Sequence, residues 1–259
     1  MTFKVVIPAR YASARLPAKP LLDIAGRPMI QWVISAAVQS GADEVLVATD
    51  DERIAGVAID PRSQQSIAVM TNADHPSGTD RIAEVASQRG WDHRTIVVNV
   101  QGDEPLLPPA LVGQVAGLLE QHPDAAMATL STPVASLHEF IDPNVVKVVT
   151  AKDGTALYFS RAPIPWTRDG AKQGLASQVS FTGAQRHLGI YAYRVDALQK
   201  LTALPPAELE LTEKLEQLRA LQAGMKLVVA VASALPPAGV DTESDLIRVR
   251  AVLGASPKL

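Results

Sequence analysis

The sequence contains no cysteine, which excludes disulfide bonds and thiolate metal sites and fits a reducing compartment. Its 259 residues also include no apolar run near the length of a membrane-spanning helix, about 18 residues or more. At the N-terminus, Pro8 and Arg10 interrupt the apolar stretch that a signal peptide needs. We therefore expect a cytoplasmic protein with no membrane partner.

Basic charge is not in surplus, because 24 Lys and Arg residues face 27 Asp and Glu residues and the net charge is −3. Nucleic-acid binders usually carry a basic surplus, so we expect no nucleic-acid partner. The phosphate-loop patterns G-x-G-x-x-G and G-x-x-x-x-G-K-[ST] are missing, as are H-E-x-x-H and G-x-S-x-G. Phosphate binding, if present, must therefore use side chains as much as backbone.

Short apolar runs alternate with amphipathic stretches along the chain. Most of the runs are continuous, which is typical of parallel strands covered on both faces. We predict strands at Phe3–Ile7, Glu44–Ala48, Ile67–Met70, Thr95–Val100, Ala126–Leu130 and Leu227–Ala232. Helices are predicted between Pro28 and Gly41, at Leu111–Leu119, at Leu211–Leu221, and after a capping box of Thr242 and Asp245. The alternation predicts an α/β fold with a doubly wound, mostly parallel sheet.

The middle of the chain departs from this alternation. Val145–Ala151 and Thr155–Ser160 flank a turn and predict an antiparallel hairpin. His187–Arg194 predicts another strand, after a long polar loop from Thr167 to Arg186. We therefore expect one domain over residues 1–259, with a central antiparallel β insertion at about 131–194.

A basic loop follows the first strand, where open α/β sheets bind ligands. It carries Arg10, Arg15 and Lys19, and no acidic residue occurs before Asp23. Such a concentration of cations suits a polyphosphate, which needs charge-assisted hydrogen-bond donors. A solvated basic loop is the alternative explanation.

Two aspartates follow predicted strands and are candidate metal ligands. Asp103 stands in Gln101-Gly-Asp-Glu-Pro105, and Asp241 comes just after the last predicted strand. Magnesium takes one or two carboxylates together with substrate phosphate oxygens, which this pair could supply. The alternatives are ordinary turn chemistry for Asp103 and helix N-capping for Asp241.

The segment Asp74-His-Pro-Ser-Gly-Thr-Asp-Arg81 precedes a predicted helix. A helix N-terminus rich in small hydroxyl residues can bind an anion or the edge of a base. Capping by Ser77 or Thr79 is the simpler interpretation.

Together these segments resemble the 3-deoxy-manno-octulosonate (KDO) cytidylyltransferases, or CMP-KDO synthetases. The resemblance covers nearly the whole chain in the family's order, and among its small departures is Ala18, where a glycine is common. The matching segments are Val6–Leu21, Asp74–Arg81, Asn99–Pro105, Ala156–Arg161, Arg186–Tyr191, Leu215–Arg219 and Gly239–Thr242.

The resemblance implies transfer of CMP from CTP to the anomeric hydroxyl of KDO, with release of pyrophosphate, for lipopolysaccharide biosynthesis. It assigns Arg10, Arg15 and Lys19 to the triphosphate, and it places magnesium on Asp103 and Asp241. Catalysis would rest on Arg10, Lys19, Asp103 and Asp241. The cytidine pocket would contain Ser77, Gly78 and Arg81. No general base is implied.

The resemblance assigns five further residues to the sugar acid and implies a homodimer formed through the central insertion. A polar helix face is the alternative for Glu216 and Gln217, and core packing is the alternative for Tyr191. Two other functions remain open: a cytidylyltransferase for another acidic sugar, such as sialic acid or amino-substituted KDO, and a non-catalytic nucleotide-binding module. The five sugar-binding residues would be Arg161, His187, Tyr191, Glu216 and Gln217.

Overall fold

The computed structural model describes residues 1–12, 16–170, 173–179 and 181–255. The strands in these ranges are β1 (Lys4–Pro8), β2 (Asp23–Ile24), β3 (Arg27–Pro28), β4 (Glu44–Thr49), β5 (Ala68–Met70), β6 (Ile96–Asn99), β7 (Met127–Pro133), β8 (Lys147–Thr150), β9 (Ala156–Ser160), β10 (Gln185–Arg194) and β11 (Leu227–Val231). The helices are α1 (Met29–Gln39), α2 (Glu52–Ala55), α3 (Gly78–Gln88), α4 (Pro109–Gln121), α5 (Leu137–Ile141), α6 (Val195–Ala203), α7 (Glu208–Glu213), α8 (Gln217–Gln222) and α9 (Glu243–Gly254).

The central sheet is mostly parallel and has the strand order β11-β7-β10-β6-β1-β4-β5. Strand β1 pairs in parallel with both β4 and β6, and β11 pairs in parallel with β7. Strand β10 runs antiparallel between β6 and β7. The predicted α/β fold with a mostly parallel sheet is confirmed.

Both faces of the sheet are covered, which explains the continuous apolar strands. Val5 and Ile7 of β1 pack in a core with residues of α1 and α4. Val6, between them, packs on the opposite face in a second core with residues of α3 and α6. Successive side chains of a strand point to opposite faces, so Val5, Val6 and Ile7 are all buried.

The predicted hairpin is present as β8 and β9, and β8 pairs with the beginning of β10. The strand predicted at His187–Arg194 begins earlier, at Gln185, and lies inside the central sheet. The insertion is therefore joined to the sheet through its last strand. The predicted loop from Thr167 to Arg186 contains a short 3-10 turn at Leu175–Ser177, and three of its positions lie outside the described residues.

The prediction of one helix over Leu211–Leu221 was wrong, because the chain forms two short helices there. Lys214 adopts a left-handed conformation with φ 54° and ends α7. Leu211 is 53% exposed, whereas Leu215 and Leu218 are buried, so these leucines do not form one apolar stripe. The break places Glu216 and Gln217 at the start of α8.

Candidate active site

A cavity of about 360 Å³ lies at the carboxyl ends of β1 and β6. Parallel strands bring the loops that follow them to one edge of the sheet, which is where open α/β sheets bind ligands. Distant segments of the sequence therefore meet in one place, as predicted. The predicted residues that line the cavity are Arg10, Lys19, Ser77, Gly78, Arg81, Asp103 and Asp241. Arg15, also predicted to bind the triphosphate, lies outside the described residues.

Lys19 joins the two aspartates. Its Nζ lies 2.6 Å from Asp103 Oδ2 and 3.1 Å from Asp241 Oδ1, and it also donates to the Val240 carbonyl at 2.9 Å. Ala18 adopts a left-handed conformation with φ 55° and begins the 3-10 turn that carries Lys19. The Lys19 side chain is only 15% exposed, so its ammonium group is a largely buried cation between two carboxylates.

Close backbone contacts hold the loops of the two aspartates together. The Val240 N–H donates to the Asp103 carbonyl at 2.9 Å. A Cβ atom at Gly239 would lie 3.2 Å from the same carbonyl oxygen, and one at Gly102 would lie 3.0 Å from the Pro8 carbonyl oxygen. These approaches favour glycine at both positions, because a side chain would push the loops apart.

Asp241 does not cap the helix that follows it. The N-cap of α9 is Thr242, which forms a capping box with Asp245 as predicted. The Asp241 side chain is half exposed and lies at the cavity beside Lys19. The capping alternative for Asp241 is therefore wrong.

The N-terminus of α3 forms another wall of the cavity. Ser77 caps this helix, and its side chain accepts a hydrogen bond from the Asp80 N–H at 3.3 Å. Arg81, one turn into the helix, is buried and also lines the cavity. Its guanidinium donates to Asp50 Oδ2 and to Thr71 Oγ1, each at 2.8 Å. Ser77 therefore both caps α3 and lines the cavity.

Three of the predicted sugar-binding residues form a cluster beside α3. The rings of His187 and Tyr191 lie 5.2 Å apart, and the Glu216 carboxylate accepts a hydrogen bond from the Thr79 hydroxyl. The negative charge of Glu216 also helps to raise the pKa of Tyr191, after burial, which is the larger cause. Thr79 follows Ser77 and Gly78, so it connects this cluster to the wall of the cavity.

Two buried polar atoms in or next to this cluster have no hydrogen-bond partner in the described part of the chain: the Tyr191 hydroxyl and the Gln217 Nε2. Buried polar groups are nearly always paired, because leaving one unpaired costs about 1 to 3 kcal/mol. Core packing alone does not explain the Tyr191 hydroxyl, and Gln217 is buried rather than part of a solvated helix face. Both atoms are suited to a polar ligand.

His187 is neutral in the folded protein, because burial lowers its pKa to about 3. Its Nε2 lies 3.1 Å from Thr129 Oγ1, and the Thr129 hydroxyl itself faces the Ile190 carbonyl at 2.7 Å. A hydroxyl has one proton to donate, and the carbonyl can only accept it. The His187 Nε2 therefore carries the proton in the bond to Thr129, which leaves Nδ1 as an acceptor.

Arg161, the fifth predicted sugar-binding residue, contacts different groups from those that the other four contact. Its Nε donates to the Glu213 carbonyl at 2.6 Å, and its Nη1 donates to the Pro143 carbonyl at 2.8 Å. The Lys147 ammonium, completely buried, donates to the Arg161 carbonyl at 2.7 Å. These bonds fix Arg161 between the hairpin and the end of α7.

Sequence reasoning missed two acidic residues near the site. Asp50 directly follows β4, so the strand-end rule that pointed to Asp103 could have found it. Glu104 lies in a second cavity of about 90 Å³ together with Arg186 and His187. Burial, and then the charge of Asp103, raise the pKa of Glu104 to about 7. In the sequence, only the position of Glu104 next to Asp103 indicates that it belongs to the site.

The described residues also bear on membrane insertion and metal binding. No helix in the described ranges is both long and apolar enough to span a membrane. Within the same ranges, no group of three or more His, Cys, Asp or Glu side chains is arranged to hold a metal ion. A metal at this site would therefore depend on the pair Asp103 and Asp241 and on oxygen atoms of the substrate.

The chain is similar to known proteins over nearly its whole length. The cytidylyltransferase family model matches residues 4–227. The 3-deoxy-manno-octulosonate cytidylyltransferase of Thioalkalivibrio sulfidiphilus is 54% identical and aligns over 98% of this chain and 100% of its own. The enzyme of the same name from Cellvibrio japonicus is 56% identical over 98% of each chain.

A solved structure shares the fold. It is described as CMP:2-keto-3-deoxy-manno-octonic acid synthetase complexed with CTP, and it superposes with a TM-score of 0.85 at 42% identity. The match covers 97% of this chain and 98% of that one. By fold, by sequence identity and by coverage, this chain belongs to the 3-deoxy-manno-octulosonate cytidylyltransferase family.

Proposed function

We propose that this protein transfers CMP from CTP to the anomeric hydroxyl of KDO and releases pyrophosphate, supplying CMP-KDO for lipopolysaccharide biosynthesis. The observation that carries the proposal is that Lys19, Asp103 and Asp241 lie together at one cavity. They offer both a cation for phosphates and carboxylates for a metal. The family relationship and the similar CTP complex support the choice of nucleotide and sugar.

The triphosphate would bind to the basic loop after β1. Arg10 is exposed at the cavity, so its side chain can reach a ligand there. Lys19 supplies a second cation deeper in the site. Arg15 belongs to the same loop and is proposed as a third cation. Positive groups on the leaving pyrophosphate stabilise the charge that develops on it.

Asp103 and Asp241 are the proposed ligands of Mg²⁺. Carboxylate oxygens are hard donors that suit this ion, and both already lie around one cationic centre, the Lys19 ammonium. Two protein carboxylates leave coordination positions for phosphate oxygens, which is the usual arrangement for Mg²⁺ with nucleotides. When bound, the ion would neutralise charge on the α-phosphate and lower the pKa of the attacking hydroxyl.

The sugar acid would bind in the cluster beside α3. The Tyr191 hydroxyl and Gln217 Nε2 are buried donors without partners among the described residues, and Glu216 and the His187 Nδ1 are acceptors. Sugar hydroxyls both donate and accept hydrogen bonds, so they complement this mixed set. Arg161 is proposed to pair with the carboxylate through the donors that its two backbone contacts leave over.

The transfer is an in-line displacement: the anomeric hydroxyl releases its proton to solvent, its oxygen bonds to the α-phosphorus, and the bond from the α-phosphorus to the oxygen that bridges to the β-phosphorus breaks. That oxygen leaves with pyrophosphate. Such reactions ask the protein mainly for alignment and charge neutralisation. Arg10 and Lys19 hold the leaving group, while His187, Tyr191, Glu216 and Gln217 hold the nucleophile on the side of α3. Thr79 couples the two regions, because it bonds Glu216 and follows residues of the cavity wall.

Pyrophosphate release from CTP measures this activity directly. Purified protein with Mg²⁺ should release pyrophosphate with KDO and much more slowly with sialic acid or amino-substituted KDO. A higher rate with either of those sugars would assign the protein to the alternative substrate. If the protein binds CTP tightly but releases no pyrophosphate with any of the sugar acids, it is a non-catalytic nucleotide-binding module.

We further propose that the protein forms a homodimer through the β8–β9 hairpin. Leu157 of β9 is 62% exposed and Trp166 is 50% exposed, so this part of the surface carries large apolar side chains. Contiguous patches of exposed apolar side chains are typical of contact surfaces between proteins. Sedimentation velocity tests the proposal, and a monomer at micromolar concentration would contradict it.

A further inference from the structure

We propose that Asp50 is a positioning residue that orients Arg81 and thereby selects cytosine over uracil in the nucleotide. The inference rests on the proposed function, since it concerns the base of the same substrate. Asp50 belongs to none of the segments on which the family resemblance is built. Its proposed role follows from its contact with Arg81 in the folded chain.

Arg81 is fixed from two sides at the wall of the cavity. Its side chain is 5% exposed, and its Nη2 donates to Asp50 Oδ2 at 2.8 Å. Its Nη1 donates to Thr71 Oγ1 at 2.8 Å, and the Thr71 hydroxyl donates in turn to the Thr49 carbonyl at 3.2 Å. Both partners therefore belong to the ends of neighbouring strands β4 and β5, which gives the guanidinium a rigid support.

Asp50 is the acidic partner that makes this burial possible. A guanidinium group stays charged, and an unpaired charge is strongly disfavoured away from water. The ion pair uses one of the five N–H groups of Arg81, and the bond to Thr71 uses another. Three donors remain on a side chain that lines the cavity. They are available to a ligand whose edge presents acceptors.

Such a fixed donor group distinguishes the two pyrimidines. Cytosine presents acceptors at O2 and N3, whereas uracil carries a proton on N3. A rigid guanidinium can bond the first edge, but its N–H groups oppose the N3–H of the second. A site built for specific hydrogen bonds rejects an analogue that cannot make them, because its buried polar groups are then left unpaired.

The other carboxylate oxygen of Asp50 is an independent observation in favour of a ligand. Oδ1 is buried and has no hydrogen-bond partner in the described part of the chain. A buried acceptor is satisfied when a donor reaches it, and the exocyclic amino group of cytosine is such a donor. Uracil has a carbonyl oxygen at that position, which would repel the carboxylate. Arg81 lines the cavity, and Asp50, which does not, is bonded to it, so the pair places donors at the wall and an acceptor directly next to them.

The test compares CTP with UTP in Asp50→Asn, Asp50→Ala and Thr71→Val. We expect kcat/KM for CTP to fall by about 10- to 100-fold in the Asp50 variants, mainly through KM, with a smaller loss for UTP. The CTP-to-UTP ratio should fall by about 10-fold or more. Thr71→Val should lower the ratio less, since it keeps the ion pair.

The matched control is Asp60→Asn. Asp60 is also a poorly exposed aspartate paired with an arginine, since its Oδ2 lies 2.9 Å from Arg62 Nη2, but Arg62, unlike Arg81, does not line the cavity. Its CTP-to-UTP ratio should equal that of the wild type. A general loss of stability lowers the yield or the Tm of any variant but does not change this ratio.

Two outcomes overturn the inference. One is an Asp50→Asn protein that is folded by circular dichroism and keeps the wild-type CTP-to-UTP ratio. The other is a control variant with the same change in ratio as the Asp50 variants. Calorimetric titration of CTP and UTP into each variant without sugar gives the ratio of affinities even when no turnover occurs. A wild-type protein that binds CTP selectively but releases no pyrophosphate would contradict the proposed function and not the role of Asp50.

Discussion

The Lys19 ammonium lies 2.6 Å from the Asp103 carboxylate although 84 positions separate the two residues in the sequence. Asp241, another 138 positions further along, is 3.1 Å from the same nitrogen, since its separation from Lys19 is 222. The loops that follow three strands, β1, β6 and β11, thus contribute to one charged centre. The two carboxylates would repel each other without a cation between them, so the lysine stabilises the arrangement that a metal ion and a triphosphate require.

Asp103→Asn tests the proposed metal site. The change removes one negative charge and keeps the size of the side chain, so the loops after β1 and β6 should stay in place. We expect turnover to fall by at least about 100-fold, the usual scale for losing a preorganised electrostatic contact. The control is Asp92→Asn, an exposed aspartate before the amino end of β6. Turnover within a few-fold of the wild type at saturating Mg²⁺ would remove Asp103 from the site.

Lys19→Ala tests the proposed triphosphate site. The variant loses a charge-assisted donor and leaves Asp103 and Asp241 without their common partner. We expect CTP affinity to fall by about 10- to 100-fold, measured by calorimetric titration. Lys4→Ala is the control, because Lys4 lies at the start of β1, beside Glu44, whereas Lys19 lies in the loop that follows the other end of this strand. Equal CTP affinities for the wild type and Lys19→Ala would make the basic loop a solvated surface.

Much of the fold could be predicted from the sequence, because continuous apolar runs such as β1 have one physical explanation. Burial on both faces requires a sheet with helices on each side, and the strand-end rule then placed Asp103 at the cavity. The break at Lys214 could not be predicted, since it depends on a left-handed residue that is not glycine. The leucines on either side of it have helical spacing but different exposure.

The contacts of the site were less predictable than its location. Asp50 and Thr71 hold Arg81 through tertiary contacts between strand ends, and no local pattern reports such a pairing. The raised pKa of Glu104 depends on burial, which the neighbouring residues in the sequence do not determine. A sequence motif therefore located the carboxylates, whereas their electrostatic environment follows from packing.

Tyr191→Phe tests the sugar site through a hydroxyl that has no hydrogen-bond partner in the described ranges. Removing a buried unpaired group should leave the free protein as stable as the wild type or stabilise it by about 1 kcal/mol, measured by thermal unfolding. The KM for KDO should rise, while the KM for CTP should stay within two- to three-fold, about the error of such comparisons. A protein with a lower Tm and an unchanged KM for KDO would assign Tyr191 to the core alone.

Tyr193→Phe is the matched control for this change. Tyr193 is also a buried tyrosine of β10, but its hydroxyl has hydrogen bonds with the side chains of Thr79 and Asn99. Losing this hydroxyl removes a hydrogen bond from each of its two partners, so Tyr193→Phe should lower the Tm. The opposite effects of the same chemical change would separate a hydroxyl that serves a ligand from one that serves the fold.

His187 should make the protein less stable in mild acid. The imidazole takes up a proton near pH 6.5 in an unfolded chain, whereas burial lowers its pKa to about 3 in the folded protein. Between these values the unfolded state holds more protons, so stability is fully present above pH 6.5 and is lost as the pH falls. Chemical denaturation of the wild type should show about 2 kcal/mol more loss between pH 7 and pH 5 than His187→Gln. His93→Gln, at an exposed histidine, should behave as the wild type, and identical pH profiles for all three proteins would show that His187 is not buried in a neutral form.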